Sequence, residues 1–240
     1  MKQTKHDPRL VLQLQALREM IDDILDGGGG EISETPAKAT SRSRGRATRG
    51  PGGGSGSKLA IVVGHTAVAP GASGVSPVSA SEYPWNKDLA AKIVSECSAL
   101  RASAAVFFRD GGGISAAYSA AAACGAKAVV ELHFNADGGA ARGTETLYGT
   151  ACGASLAWAQ SVHNAMVSLY GRGSGLPGNR GLRKTPPHPR GSASVNALST
   201  IPSCLIEPFF GDHGADASLG QAKKDGLAKA IAKAFVTHFP

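Results

Sequence analysis

The sequence predicts an α/β domain: a twisted, mostly parallel sheet flanked by helices, preceded by an N-terminal helix and a flexible linker. Two patterns lead to this class. From Leu59 onward, short apolar runs of strand length alternate with longer helical segments, as in a parallel sheet with crossover helices. Before Leu59, a Gly-, Ser- and Arg-rich tract separates that domain from a sharply punctuated helical pattern.

The first element is a helix from Pro8 to Asp26. Asp7 can cap it, Pro8 suits its first position and Gly27 to Gly30 end it. Leu10, Leu14, Leu17, Ile21 and Ile24 line one apolar face, as in a short coiled-coil seam. That face serves packing on the rest of the chain, weak dimerisation or docking to another protein, and the pattern does not choose among them. The boundaries are thus residues 1–26 for the helix, 27–58 for the linker and 59–240 for the catalytic domain. The linker's composition buries too little apolar surface to offset its ordering entropy.

In the domain, Leu59 to Val63 reads as a strand, Trp85 to Arg101 as a helix and Ala104 to Phe108 as a second strand. Ile114 to Cys124 follows as an Ala-rich helix, then Ala128 to His133 and Thr144 to Tyr148 as strands. Ser155 to Tyr170 is helical and leads into a long Gly/Pro-rich loop through Pro189. Pro202 to Glu207 is the last strand, and Ala217 to Phe239 a closing helix.

Composition limits the function classes. The 240 residues suit one well-buried domain plus an appendage, and 32 glycines with 5% aromatics imply many loops and a core of small aliphatic side chains. The net charge is +7, with an acid-free stretch from Thr35 to Ser81 carrying Lys38, Arg42, Arg44, Arg46, Arg49 and Lys58. Such a tract favours anionic partners, acidic envelope polymers among them, and the alternative is a merely solvated tether. Nucleic acid is a weaker expectation, because no aromatics interleave with the arginines to stack on bases. Cys97, Cys124, Cys152 and Cys204 form no CxxC motif and read as free buried thiols. No transmembrane segment and no secretory leader are apparent, so the expectation is cytoplasmic synthesis without a signal peptide, with any work outside the cytoplasm following release by another route.

The carboxyl ends of strands in open sheets converge on a crevice, so polar residues there come first. His65 ends the first strand, His133 the third and Glu207 the last, while Glu82 stands where the first helix begins. Two imidazoles and a carboxylate bind zinc and leave a position for a water, whose pKa such an ion lowers to around 7. A further carboxylate, Glu207, then suits proton transfer to a departing amine. Each residue also has a plainer role: strand-end histidines serve as hydrogen-bonding loop residues, and an acid in a first helical turn complements the dipole. Glu207 stands out because it closes a buried-looking strand before Pro208, where a carboxylate must be paired or perturbed. The combination, at strand ends, carries the reading.

With those residues in place, the chain resembles the zinc-dependent N-acetylmuramoyl-L-alanine amidases called Amidase_3, over most of residues 59 to 239. The matching motifs are Val-Val-Gly-His65, then Glu82 with Asn86, then Arg109-Asp110 after the second strand. They continue with His133-Phe-Asn135-Ala136, Gly143 to Tyr148, Arg180-Gly181 and Pro202 to Glu207. The resemblance implies one Zn2+ per chain on His65, Glu82 and His133, with Glu207 as general acid/base and Asn135 at the substrate. It implies cleavage of the peptidoglycan amide between N-acetylmuramic acid and the L-alanine of the stem peptide.

The chain departs from the family pattern in two places. Val62 and Val63 stand where an acid usually precedes the first His, with Thr66 in place of a Gly, which removes an expected support of His65. Pro-Phe-Phe-Gly-Asp-His after Glu207 replaces Gly-Phe-Ile-Ser and brings His213 toward the cleft. In the long loop, Arg180, Arg183, Lys184 and Arg190 are candidates for stem-peptide carboxylates, and His188 for a further substrate contact. His163 and His238 read as surface residues. The expected role is host-cell lysis by a phage or prophage endolysin. The alternatives are a related zinc amidohydrolase or carboxypeptidase acting on a small acyl-amino acid, and an inactive peptidoglycan-binding module.

Overall fold

The computed structural model describes residues 57–240 apart from 174, 176, 188 and 189. The helix expected over 1–26, and all but the end of the linker expected over 27–58, lie outside the described residues. The linker boundary moves slightly: Lys58 already belongs to the first strand, and its Nζ donates to the Cys124 carbonyl at 2.8 Å.

The elements run β1 (Lys58–Val63), α1 (Glu82–Ala99), β2 (Ser103–Phe108), α2 (Gly113–Ala123), β3 (Ala128–Leu132) and β4 (Thr144–Tyr148). They continue with α3 (Ser155–Leu169), β5 (Asn179–Lys184), α4 (Ser192–Val195), β6 (Ser203–Glu207), α5 (Gly214–Ala222) and α6 (Lys224–His238). The strands form one sheet in the order β2-β1-β3-β6-β4-β5. β2, β1, β3 and β6 are mutually parallel, β4 runs antiparallel to β6, and β5 is parallel to β4. The expected mostly parallel α/β sheet is what the chain forms.

Strand periodicity explains the two cores. Alternate residues Leu59, Ile61, Val63, Val130, Leu132 and Ile206 point to the larger core with α1, α3 and α6. Ala60, Val62 and Val129 point the other way, toward Ile114, Tyr118 and Ala121 of α2. Trp158 is fully buried, and its Nε1 donates to the Val129 carbonyl at 2.9 Å, so its polar atom is satisfied inside the core. Each such large apolar side chain contributes about 1.5–3 kcal/mol.

Three differences from expectation have physical causes. The long loop contains a strand, β5, whose Asn-Arg-Gly-Leu-Arg-Lys has no apolar alternation; it is an edge strand, where charged side chains are favoured and core pressure is low. The closing helix is two helices that meet at Lys223, and Lys224 anchors the second on α1, with Nζ 2.7 Å from Asp88 and 4.3 Å above the Trp85 ring. His163 is buried rather than superficial, its ring nitrogens bonded to Thr146 Oγ1 at 3.1 Å and Asn179 Oδ1 at 3.0 Å. His238 is half-buried against Ser161. The four cysteines are free, as expected, and all but the half-buried Cys124 are buried. Among the described residues, no helix is long and apolar enough to cross a membrane.

Candidate functional site

The carboxyl ends of β1, β3 and β6 lie side by side at the middle of the sheet, which brings residues 65, 133 and 207 together despite their separation in sequence. Beneath them, Trp85, Phe134 and Phe209 form an aromatic cluster with ring centroids 5.0–5.9 Å apart. Phe134 follows His133 and Phe209 lies two residues after Glu207, so the cluster fixes both chain segments as they leave the sheet. Asp216 on α5 adds a polar anchor: it accepts from Phe210 N at 3.1 Å and Gly143 N at 2.7 Å and pairs with Arg172. His213 is used as the cap of α5, accepting from Asp216 N at 3.3 Å.

His65 adopts a left-handed backbone conformation, φ 64°, which few non-glycine residues hold without compensation. The loop after it is tied down by Asp110, which accepts from Ala67 N at 2.8 Å and from the Tyr83 hydroxyl of α1 at 2.6 Å. Glu82, buried in the first turn of α1, places Oε2 3.3 Å from His65 Nε2 and 3.1 Å from His133 Nδ1. The same carboxylate accepts from Phe134 N at 3.2 Å and Ala72 N at 3.0 Å. The expected helix start at Trp85 therefore moves back to Glu82, because these loop amides hold the carboxylate.

Two glycines make room for the imidazoles. A side chain at Gly64 would overlap the His133 ring, and one at Gly71, whose φ is +78°, would lie 2.6 Å from His65 Cδ2. The two rings meet edge to face with centroids 4.8 Å apart.

One ligand atom from each of His65, Glu82 and His133 lies within 4.8 Å of the others. Tetrahedral zinc with bonds of about 2 Å separates neighbouring donors by roughly 3.3 Å, close to the two imidazole–carboxylate distances here. Two nitrogens and one carboxylate oxygen are also the donor chemistry of catalytic zinc sites. The three residues predicted as ligands therefore fit the group. Without a metal, burial disfavours the Glu82 charge, but His65 and His133 outweigh it and hold the carboxyl well below its usual range. His133 is buried too, yet its bonds to Glu131 and Glu82 raise it well above an ordinary imidazole.

Glu207 is 7% exposed, and its Oε2 is buried with no hydrogen-bond partner among the described residues. Burial pushes its carboxyl well above the usual value; Glu82 and Glu145 add to this, while His133 and Arg190 oppose it. It lines a cleft of about 230 Å³ together with His65, Glu82, His133, Asn135 and Arg190.

The predicted substrate contacts divide. Asn135 lies on the cleft wall with its amide engaged: Nδ2 donates to Glu145 at 2.8 Å, and Oδ1 accepts from Arg190 at 3.0 Å. Arg180 and Arg183 on β5 reach Glu145 Oε2 at 2.8 and 3.5 Å, so both are drawn to a buried carboxylate. Lys184, at the end of β5, is exposed, and His188 lies outside the described residues.

Sequence reasoning missed Glu131, a fully buried acid in the otherwise apolar β3, 3.0 Å from His133 Nε2. The signal was available, since an acid inside Ala-Val-Val-Glu-Leu is as conspicuous as one at the end of β6.

Comparisons with known proteins bear on the family and the fold. The family model for N-acetylmuramoyl-L-alanine amidase, Amidase_3, matches residues 59–236. No curated protein matches significantly. Among solved structures, the catalytic domain of CwlV, an N-acetylmuramoyl-L-alanine amidase from Bacillus (Paenibacillus) polymyxa var. colistinus, superposes with TM-score 0.63 at 24% identity, covering 76% of this chain and 97% of that one. The catalytic domain of the CD27L endolysin, which targets Clostridia difficile, gives TM-score 0.61 at 24% identity, with 75% and 97% covered. AmiC2 of Nostoc punctiforme, another N-acetylmuramoyl-L-alanine amidase, gives 0.61 at 21% identity, with 77% and 98% covered. These likenesses share the fold, and the family match together with the strand-end residues it spans shows that this chain belongs to the Amidase_3 family of N-acetylmuramoyl-L-alanine amidases.

Proposed function

We propose that this enzyme hydrolyses the amide joining the lactyl group of N-acetylmuramic acid to the L-alanine of the peptidoglycan stem, with one zinc held by His65, Glu82 and His133. The observation that carries the reading is the buried Glu207 carboxylate beside that cluster, whose Oε2 has no hydrogen-bond partner among the described residues. When bound, zinc supplies Lewis acidity toward the scissile carbonyl and lowers the pKa of a water. Glu207 moves the proton. Its Oε2 accepts a proton from the attacking water and delivers it to the amide nitrogen as the C–N bond breaks. Burial raises its proton affinity, which suits a group that must hold a proton between those two steps.

Asn135 shapes the cleft wall, Arg180, Arg183, Lys184 and Arg190 draw stem-peptide carboxylates toward it by charge, and His188, outside the described residues, is proposed as a further substrate contact. The basic tract before β1 adds attraction to anionic envelope polymers, and the N-terminal helix is a candidate for weak dimerisation. In the cell the activity serves host lysis by a phage or prophage enzyme, acting at the wall after release.

Mass spectrometry of digested peptidoglycan, with and without a chelator, tests the reaction. Stem peptides with a new L-alanine amino terminus, lost on chelation, are the expected products. Release of single terminal amino acids would indicate a carboxypeptidase, and binding without any product would indicate an inactive module. The lysis role is tested separately on suspensions of bacteria whose outer membrane has been removed, where the protein should clear turbidity.

A further inference from the structure

Glu131 occupies the most enclosed position of any acid near the site. It is 0% exposed, in the middle strand region of β3, and burying a carboxylate there costs several kcal/mol unless it is paired and hydrogen-bonded. It has three partners from three different elements. Oε1 lies 3.0 Å from His133 Nε2 and 3.4 Å from the Arg109 guanidinium after β2, and Oε2 accepts from the Tyr118 hydroxyl of α2 at 2.7 Å.

The strand period explains how the acid reaches the ring. Residues 131 and 133 are two apart and so share a face of β3, while Glu131 pairs laterally with Val62 of β1, which offers no competing polar group. The His133 ring is thereby confined on two sides: Gly64 lies against it where a Cβ would otherwise stand, and Glu131 holds its Nε2. Nδ1 is left facing Glu82 Oε2 at 3.1 Å, on the side of His65.

We infer that Glu131 is a positioning residue: accepting the Nε2–H bond, it selects the His133 tautomer whose Nδ1 lone pair faces the metal site, and Tyr118 and Arg109 hold its own carboxylate in place. The inference rests on the reading of His133 as a metal ligand. It follows from a general feature of metal sites, in which the nitrogen opposite the metal donates to a carboxylate that fixes the ring and strengthens the ligand.

The test uses the full chain as wild type, E131Q, Y118F and H133A. Zinc affinity is measured by competition with a chromophoric chelator, and the His133 ring nitrogens are observed by NMR in the zinc-loaded protein. E131Q keeps the side-chain volume and should weaken zinc by about 10–100-fold, the usual effect of losing such a partner. Y118F should give a smaller loss of the same sign. The wild-type spectrum should show a proton on Nε2 in a strong hydrogen bond, with the signal shifted in E131Q. A merely structural Glu131 would lower the melting temperature of metal-free and zinc-loaded forms equally, with affinity unchanged.

Wild-type affinity in E131Q alongside lost binding in H133A would overturn the inference and leave the metal site intact. Undiminished binding in H133A would overturn the metal reading itself. Should E131Q not fold, the wild-type spectrum decides: a bare, metal-shifted Nε2 on His133 rules the inference out.

Discussion

Glu145 and Glu207 face each other as register partners across the antiparallel β4–β6 pair, two buried acids in opposite circumstances. Glu145 is buried, but Arg180, Arg183, Arg190 and Asn135 surround it and hold its carboxyl below the ordinary range. Glu207 is buried beside it with Oε2 unpartnered, and its carboxyl is pushed up. Two adjacent carboxylates with diverging proton affinities separate a structural acid from one suited to proton transfer.

That contrast predicts opposite outcomes for two isosteric changes. Glu207→Gln should abolish hydrolysis, by at least about 100-fold, with stability little changed, because Oε2 makes no hydrogen bond among the described residues for the substitution to break. Glu145→Gln should cost about 1–3 kcal/mol; a fully buried pair would cost more, but Arg180 and Arg183 are partly solvated and their share is discounted. Urea unfolding curves and dye-release from labelled peptidoglycan measure both. Full activity in the Glu207 variant would end its assignment as proton carrier.

The metal-free protein should show a pH optimum of stability set by the ligand cluster. Glu82 is depressed from 4.5, so its contribution is present above about pH 4.5 and is lost as pH falls through its lower folded value. Glu131, held down at about 2, behaves the same way. His133 is raised from 6.5, so its contribution is complete below about pH 6.5 and is lost as pH rises through its folded value. Metal-free stability from these groups therefore peaks between about pH 4.5 and 6.5. Zinc must displace the proton from His133, so the rise in Tm on adding zinc should grow from pH 5.5 to pH 8. Differential scanning fluorimetry across that range checks it; a constant rise would mean that no ligand changes protonation on binding.

Gly64→Ala tests the fit of the His133 ring. The added methyl overlaps the imidazole, so the ring must leave its place between Gly64 and Glu131. Zinc binding should be lost, and stability should fall by about 1–3 kcal/mol from overpacking. Zinc titration with circular dichroism separates the two effects. An unchanged affinity would show that the ring position is not needed.

Lys184→Ala, alone or with Arg183→Ala, tests the proposed attraction of stem-peptide carboxylates. Contacts made equally in ground and transition states should raise KM severalfold with kcat retained. The effect should shrink as salt is added, since these side chains are exposed and screened. Initial rates on soluble muropeptides at two ionic strengths provide the check, and a fall in kcat instead would place the pair at the reacting atoms.

Local information was enough for much of this protein. The apolar runs of β1, β3 and β6 are visible in sequence because strands buried on both faces are built mostly of apolar residues, and their chemistry-bearing ends, His65, His133 and Glu207, stand out against them. β5 was hidden because an edge strand carries arginines that pair with Glu145, a partner more than thirty residues away in the chain. The same distance concealed what Arg180 and Arg183 do, and why His163 is buried. Sequence thus determined every strand but β5, the order of the motifs and the donor types. Only the tertiary structure decided which nitrogen of His133 faces Glu82, that Glu131 holds the other, and that Glu207 Oε2 has no hydrogen-bond partner among the described residues. Those depend on strand order and register, which bring together atoms that no local pattern relates.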